Sequence, residues 1–199
     1  MLNVELNKDH EYSVDGQRKP GVSEIIQHFG FSNYSNIPEH IRKSALSFGS
    51  AVHEVIRQVE ANEIGDFNDN HRKIQKHWED FKQSINLKNC IVDIKTNASG
   101  KPTIGNMLQL YAYKLLVETA GLRKGYSATE QVLFSELWGF CGKPDYFHYL
   151  DKIENLYIVF ISLDGFKVAT FKAKDNKHEV YFKSMLQIYH LQKREGIIK

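Results

Sequence analysis

Hydrophobic residues recur at helical spacing in several stretches of the chain. In one of them, about 70–86, large apolar side chains return every three or four residues, which predicts one buried face of a helix. The same reasoning predicts further helices at about 22–30, from Pro38 to about Asn62, through Gln109 to about Gly121, and from Asn176 onward.

Runs of apolar and β-branched residues between these helices predict strands. They lie at 91–95 and through most of 130–172, where an Asp-Gly pair at 164–165 predicts a hairpin. Segment 130–147 predicts two strands around a tight glycine-containing turn, with Asp145 entering the second strand. Strands alternating with helices predict an α/β domain with a mixed central sheet flanked by helices.

Composition limits the class of protein. With 199 residues, 42% of them hydrophobic and 25% charged, we expect one globular domain over residues 1–199. No apolar run approaches the roughly 20 residues that span a bilayer, and the first nine residues lack a signal-peptide core. Cys90 and Cys141 stand apart, which favours free thiols in a reducing, cytoplasmic compartment over a zinc ribbon. The net charge of +2 requires any nucleic-acid contact to use a local patch.

The candidate chemistry begins at the end of the 91–95 strand. Asp93 and Lys95 share one face because strand side chains alternate. A carboxylate that holds a divalent cation, beside an amine that orients water or stabilises negative charge, suits metal-assisted hydrolysis. Taken alone, the pair is a weak signal and is more typical of a surface ion pair.

Three further motifs accompany this pair. Asp145 ends a Gly-x-x-Asp segment, His53 lies one helical turn after the small residues 49–51, and Gln109 and Tyr113 share a helix face. Each has an ordinary alternative: Asp145 could start a turn, His53 could cap or fill a core, and the Gln109 pair could be helix packing.

Together these motifs resemble the PD-(D/E)xK nuclease superfamily, and within it the RecB-type exonucleases, which include phage exonucleases and the mitochondrial genome maintenance exonuclease. That branch has a helix with Gly-(Thr/Ser)-x-x-His, an acid before Gly-x-x-Asp, then Asp-x-Lys-Thr and a helix with Gln-x-x-x-Tyr. The resemblance extends from about residue 16 to about 192 and includes an entry helix like 21–26. It implies a restriction-endonuclease-like core and a cytoplasmic enzyme, or one in the host cytoplasm if phage-encoded.

The resemblance also implies residue roles. It makes His53, Asp93 and Asp145 ligands of Mg²⁺ or Mn²⁺ and Lys95 the catalytic lysine. Gln109 and Tyr113 become active-site supports, and Glu130 becomes the acid upstream of Gly-x-x-Asp. Glu136 is an alternative for that acid. The preference of Mg²⁺ for oxygen adds the carbonyl of Ile94, and the nitrogen of His53 suits Mn²⁺.

Two features depart from the family pattern. Phe48 stands where an arginine is usual, which removes a phosphate contact. The motif order also differs, because Asp93 precedes Asp145 here. Exchange of blocks 91–129 and 130–157 restores the family order and predicts that the 91–95 strand lies beside a strand at 143–149.

The expected activity is hydrolysis of DNA phosphodiester bonds, with single-stranded DNA favoured and an exonuclease the first choice. Alternatives are an endonuclease or double-strand exonuclease of the same fold, or a non-catalytic nucleic-acid-binding module of a recombination assembly. Candidate DNA contacts are Phe31 and Tyr34 as a stacking platform, and Arg42 and Lys43. The ordinary readings are a hydrophobic anchor for the loop and a solvated helix face.

Overall fold

Ten strands and five helices make up the described part of the chain. The structure, a computed structural model, describes residues 2–32, 37–63, 65–85, 87–96 and 99–198. The strands are β1 Val4–Leu6, β2 Tyr12–Val14, β3 Gln17–Lys19, β4 Cys90–Lys95, β5 Tyr126–Thr129, β6 Leu133–Ser135, β7 Phe140–Gly142, β8 Tyr146–Tyr149, β9 Asn155–Ile161 and β10 Phe166–Lys172. The helices are α1 Val22–His28, α2 Glu39–Glu60, α3 Asp69–Ser84, α4 Ile104–Thr119 and α5 Lys177–Arg194.

The central sheet has five strands in the order β10-β9-β4-β8-β5. Strand β4 lies in the middle, parallel to β9 and antiparallel to β8, so the sheet is mixed. The chain also forms a three-stranded sheet from β1, β2 and β3 and a hairpin from β6 and β7.

Helices cover both faces of the central sheet. Along β4, Ile91 belongs to the apolar cluster with α1, α4 and α5, whereas Val92 and Ile94 belong to the cluster with α2 and α3. This alternation follows from the two-residue period of a strand. It places Asp93 and Lys95 on the α4 side. The prediction of a mixed α/β sheet flanked by helices is therefore confirmed. None of the described helices is long and apolar enough to cross a membrane.

The predicted helices are all present within a few residues of their expected ends, and β9 and β10 form the hairpin expected at 164–165. One detail of segment 130–147 is wrong. Its glycine-containing turn joins β6 to β7, and Asp145 follows that hairpin and directly precedes β8. Pro144 has no N–H to donate to a ladder, so β7 and β8 are separate strands.

The block exchange predicted that the 91–95 strand lies beside 143–149, and β4 does pair with β8. The proposed boundaries, however, are wrong. A break after Tyr157 would cut β9, and a break after Thr129 would remove β5 from its partner β8. Thr129 would then have to meet Ile158 across roughly 14 Å of sheet, which one peptide step of about 3.8 Å cannot span.

Hydrogen bonds indicate where boundaries could lie. The Leu150 N–H donates to the Asn89 side chain at 3.0 Å, so the end of β8 lies beside the start of β4. The Ile153 N–H donates to Glu118 near the end of α4 at 3.1 Å. An exchange of 90–122 with 123–152 would therefore break loops alone.

We expect a chain in the order 1–89, 123–152, 90–122, 153–199 to fold to the same sheet. Two of its junctions, 152–90 and 122–153, join ends that already lie close together. At the third, loop residues 123–125 can span the two strand spacings, about 10 Å, between the starts of β4 and β5. Circular dichroism and thermal unfolding would test this. The matched control exchanges 91–129 with 130–157 and should fail to fold. If the first variant fails while the natural order folds, the exchange hypothesis is wrong.

Candidate metal centre and its lysine

Three acidic residues lie in a row across the central sheet. In the β4–β8 register Val92 faces Tyr146, so the next position places Asp93 opposite Asp145. In the β5–β8 register Thr129 faces Tyr146, so the next position places Glu130 opposite Asp145. Three neighbouring strands thus bring their acids to one level, although the residues are far apart in sequence.

Backbone contacts fix the middle of this row. The Ile94 N–H donates to Asp145 Oδ2 at 2.6 Å, just beyond the point where the β4–β8 ladder ends. The Glu130 N–H donates to the Asp145 carbonyl at 3.1 Å. Glu130 has a φ of 55°, a left-handed conformation uncommon for a residue with a side chain. Such conformations are concentrated at functional sites.

Helix α2 brings His53 to the row. Its Nδ1 lies 2.9 Å from Glu130 Oε1 and 3.5 Å from Asp145 Oδ1. Gly49, one turn earlier, lets α2 approach closely, since a Cβ there would lie 3.3 Å from the Thr96 hydroxyl. One ligand atom each from His53, Glu130 and Asp145 lies within 4.8 Å of the others, so the three could hold a metal ion.

Asp93 lies beside this group and is fully buried. Its Oδ1 accepts a hydrogen bond from Lys95 Nζ at 2.8 Å, so the predicted contact between Asp93 and Lys95 is present. Among the described residues its Oδ2 has no hydrogen-bond partner. A buried carboxylate oxygen without a partner is costly, and a cation would satisfy it.

Of the two helix residues predicted as supports, Gln109 contacts Lys95 directly and Tyr113 contacts Gln109. Lys95 Nζ donates to Gln109 Oε1 at 3.1 Å, and Gln109 Nε2 donates to the Tyr113 hydroxyl at 2.9 Å. Gly142 is required beneath them, because a Cβ there would lie 3.1 Å from the Tyr113 ring and 2.9 Å from Leu116. The glycine of Gly-x-x-Asp therefore allows β7 to approach α4.

Burial and neighbouring charges shift the pKa values of Asp145, His53 and Glu130. Burial raises the pKa of Asp145 to about 6. The neighbouring carboxylate of Asp93 also raises this pKa, whereas His53 lowers it. Burial lowers the pKa of His53, but Asp145 and Glu130 outweigh it and the net shift is upward. Burial raises the pKa of Glu130, but the hydrogen bonds from His53 and Lys143 bring it below its ordinary value. Competing carboxylates in one cleft are typical of functional sites.

Sequence reasoning assigned the metal to His53, Asp93 and Asp145. The structure groups His53 and Asp145 with Glu130, while Asp93 contacts Lys95. Glu136, the alternative acid, is exposed in the β6–β7 turn and takes no part. His53, Glu130 and Asp145 line a cleft of about 710 Å³. Ile94 lines it too, and its N–H donates to Asp145. Its carbonyl as a ligand stays a prediction.

Lys143 is a residue that sequence reasoning missed. Its ammonium pairs with Glu130 Oε2, and it lines the cleft with His53 and Asp145. Its position between Gly142 and Pro144 in the Gly-x-x-Asp segment was the available signal.

The predicted DNA contacts fall into three groups. Phe31 is 39% exposed and lines a second cleft together with Lys95 and Gln109. Arg42 lies one turn before Leu46, on the face of α2 that lines the metal cleft, while Lys43 pairs with Glu39 at 2.8 Å. Tyr34 lies outside the described residues.

Comparison of the chain with protein-family models, with curated proteins and with solved structures gives no match. The group of His53, Glu130 and Asp145 could hold a metal ion, and its donor atoms do not distinguish Mg²⁺ from Mn²⁺.

Proposed function

We propose that this protein is a metal-dependent phosphodiesterase with a restriction-endonuclease-like core. Within that class we propose a deoxyribonuclease, most specifically an exonuclease acting on single-stranded DNA. The observation that carries the proposal is the buried Asp93, with one oxygen bonded to Lys95 and the other lacking a partner among the described residues.

The donor chemistry fits a divalent cation. His53, Glu130 and Asp145 supply one nitrogen and two carboxylate oxygens within 4.8 Å of one another. Asp93 is not part of that group, and we propose its partnerless oxygen as a fourth donor. Hard cations such as Mg²⁺ prefer oxygen, and Mn²⁺ also accepts imidazole. A cation bound here would polarise a phosphate and lower the pKa of a bound water.

The chain's own residues supply the rest of the mechanism. Lys95, held by Asp93 and Gln109, presents its ammonium to the cleft, where it orients a water or stabilises charge on the phosphate. Tyr113 fixes Gln109 and thereby the lysine. Lys143 pairs with Glu130 and so compensates the charge of that carboxylate.

The direct test uses end-labelled single-stranded DNA, the matching duplex and a circular single strand. We expect Mg²⁺ or Mn²⁺ to support stepwise shortening of the linear single strand, EDTA to stop it, and the circle to survive. Cleavage of the circle would favour the endonuclease alternative. Binding without cleavage under any divalent metal would favour the non-catalytic module and contradict the proposed activity.

A further inference from the structure

The cleft that contains the metal-binding group does not end at Lys95. A second cleft of about 460 Å³ begins there, and both Lys95 and Ser23 line the two clefts. The two clefts therefore adjoin, with Lys95 and Ser23 in the wall that they share. We call the cleft lined by His53, Glu130 and Asp145 the acidic arm, and the cleft lined by Phe31 the amide arm.

The two arms differ in chemistry. The acidic arm carries carboxylates, imidazoles and cationic side chains. Of the residues described along the amide arm, none is acidic and Lys95 is the only cation. Its other lining residues are Phe31, Ile26, Gly105 and six polar residues, which are Ser23, Gln27, Ser32, Thr103, Asn106 and Gln109. A metal needs more anionic oxygen than this, and a phosphate needs more positive charge.

The amide arm is held in shape by its backbone. The Phe31 N–H donates to the Ile26 carbonyl at 3.1 Å, which fixes the residue to the end of α1. Gly105, in the first turn of α4, lets this helix approach Phe31 closely, since a Cβ at Gly105 would lie 2.4 Å from the Phe31 carbonyl. Thr103 and Asn106 cap that helix with reciprocal hydrogen bonds. The backbone of Phe31 is thereby fixed before a ligand binds, which lowers the cost of ordering this segment.

We propose that the amide arm binds one unpaired nucleobase of the strand whose phosphate lies at Lys95. A base is neutral, flat and edged with donors and acceptors, so it suits an aromatic ring beside amides. The volume lies in the usual range of small-molecule sites. A base that enters this arm has left any duplex, which makes unpaired DNA the preferred substrate. The inference rests on the proposed function.

The test scans abasic sites through a single-stranded oligonucleotide, one position at a time. Affinity is measured by fluorescence anisotropy in EDTA, and cleavage rates are measured with Mn²⁺. We expect the loss of one particular base, or of two adjacent ones, to weaken binding or cleavage about 5- to 100-fold, the range typical of a base stacked on an aromatic ring. Other positions should change little.

Variants assign the effect to the ring. Phe31→Ala should weaken binding or cleavage of the intact strand by a similar factor and should remove the position dependence of the abasic scan. Phe31→Tyr should keep both the wild-type affinity and the position dependence. Tyr181→Ala removes an exposed aromatic residue from α5, outside both arms, and should behave as wild type. Thermal unfolding checks that each variant is folded.

The outcomes separate the two proposals. A wild type that cleaves DNA with a flat abasic profile, or a Phe31→Ala variant that keeps a position-dependent profile, overturns the base site and leaves the nuclease proposal standing. A wild type that neither binds nor cleaves DNA overturns both.

Discussion

Lys95→Ala is expected to reduce DNA cleavage by at least about 100-fold, the usual cost of losing one group that stabilises transition-state charge. The ammonium is the cation at the junction of the two arms and is held by Asp93 and Gln109. Metal binding should survive, because lysine is not a ligand. Single-turnover cleavage under saturating Mn²⁺ measures the loss.

Two comparisons make this result specific. Lys73→Ala removes an exposed lysine from α3 and should leave the rate unchanged. Gln109→Ala leaves the ammonium in place but removes the side chain that orients it, so the rate should fall by less than in Lys95→Ala. If Lys95→Ala turns over at the wild-type rate while folded, the mechanism is wrong.

Addition of Mn²⁺ is expected to raise the melting temperature of the protein. A ligand present at 100 times its Kd stabilises the folded state by about 2.7 kcal/mol, which is roughly 5–10 °C for a chain of this size. Asp145→Asn should lose most of this shift, since the amide keeps an acceptor for the Ile94 N–H but loses the charge. Thermal unfolding with Mn²⁺ and with EDTA measures it.

The metal experiment also decides which acids are ligands. Glu130→Gln and Asp93→Asn should each diminish the Mn²⁺ shift, the first because Glu130 belongs to the three-residue group and the second because Asp93 has a partnerless oxygen. His53→Ala should lose less of the Mn²⁺ shift than Asp93→Asn, since water replaces a neutral ligand more easily than an anionic one. Glu136→Gln, at an exposed acid, is the matched control. An unchanged shift in Asp145→Asn would contradict the assignment.

Local patterns in the sequence determined the elements. Helical spacing located α3 and α4, and the two-residue period of β4 placed Asp93 and Lys95 on one face, where they form the expected pair. The four-residue interval between Gln109 and Tyr113 predicted their contact. Strands β1 to β3, each of three residues, were missed as a sheet because so short a segment carries little periodicity.

The family resemblance predicted that the 91–95 strand lies beside 143–149, as β4 and β8 do, but the residue-by-residue register of the strands was beyond the sequence. The site depends on Asp93, Asp145 and Glu130 reaching one level of three adjacent strands, and strand pairing rather than sequence distance sets that level. The block boundaries were misplaced for the same reason, because the pairing of β5 with β8 is a tertiary fact.

The sequence by itself thus indicated most of the candidate side chains and, for His53, Asp93, Lys95, Gln109 and Tyr113, the local element that bears each one, since helix and strand periods act over a few residues. The tertiary structure alone decided that Glu130 joins His53 and Asp145, that Asp93 is buried with one oxygen lacking a partner in the described structure, and that Phe31 lines one cleft with Lys95. Those contacts arise from packing between distant segments, whose geometry no short-range pattern encodes.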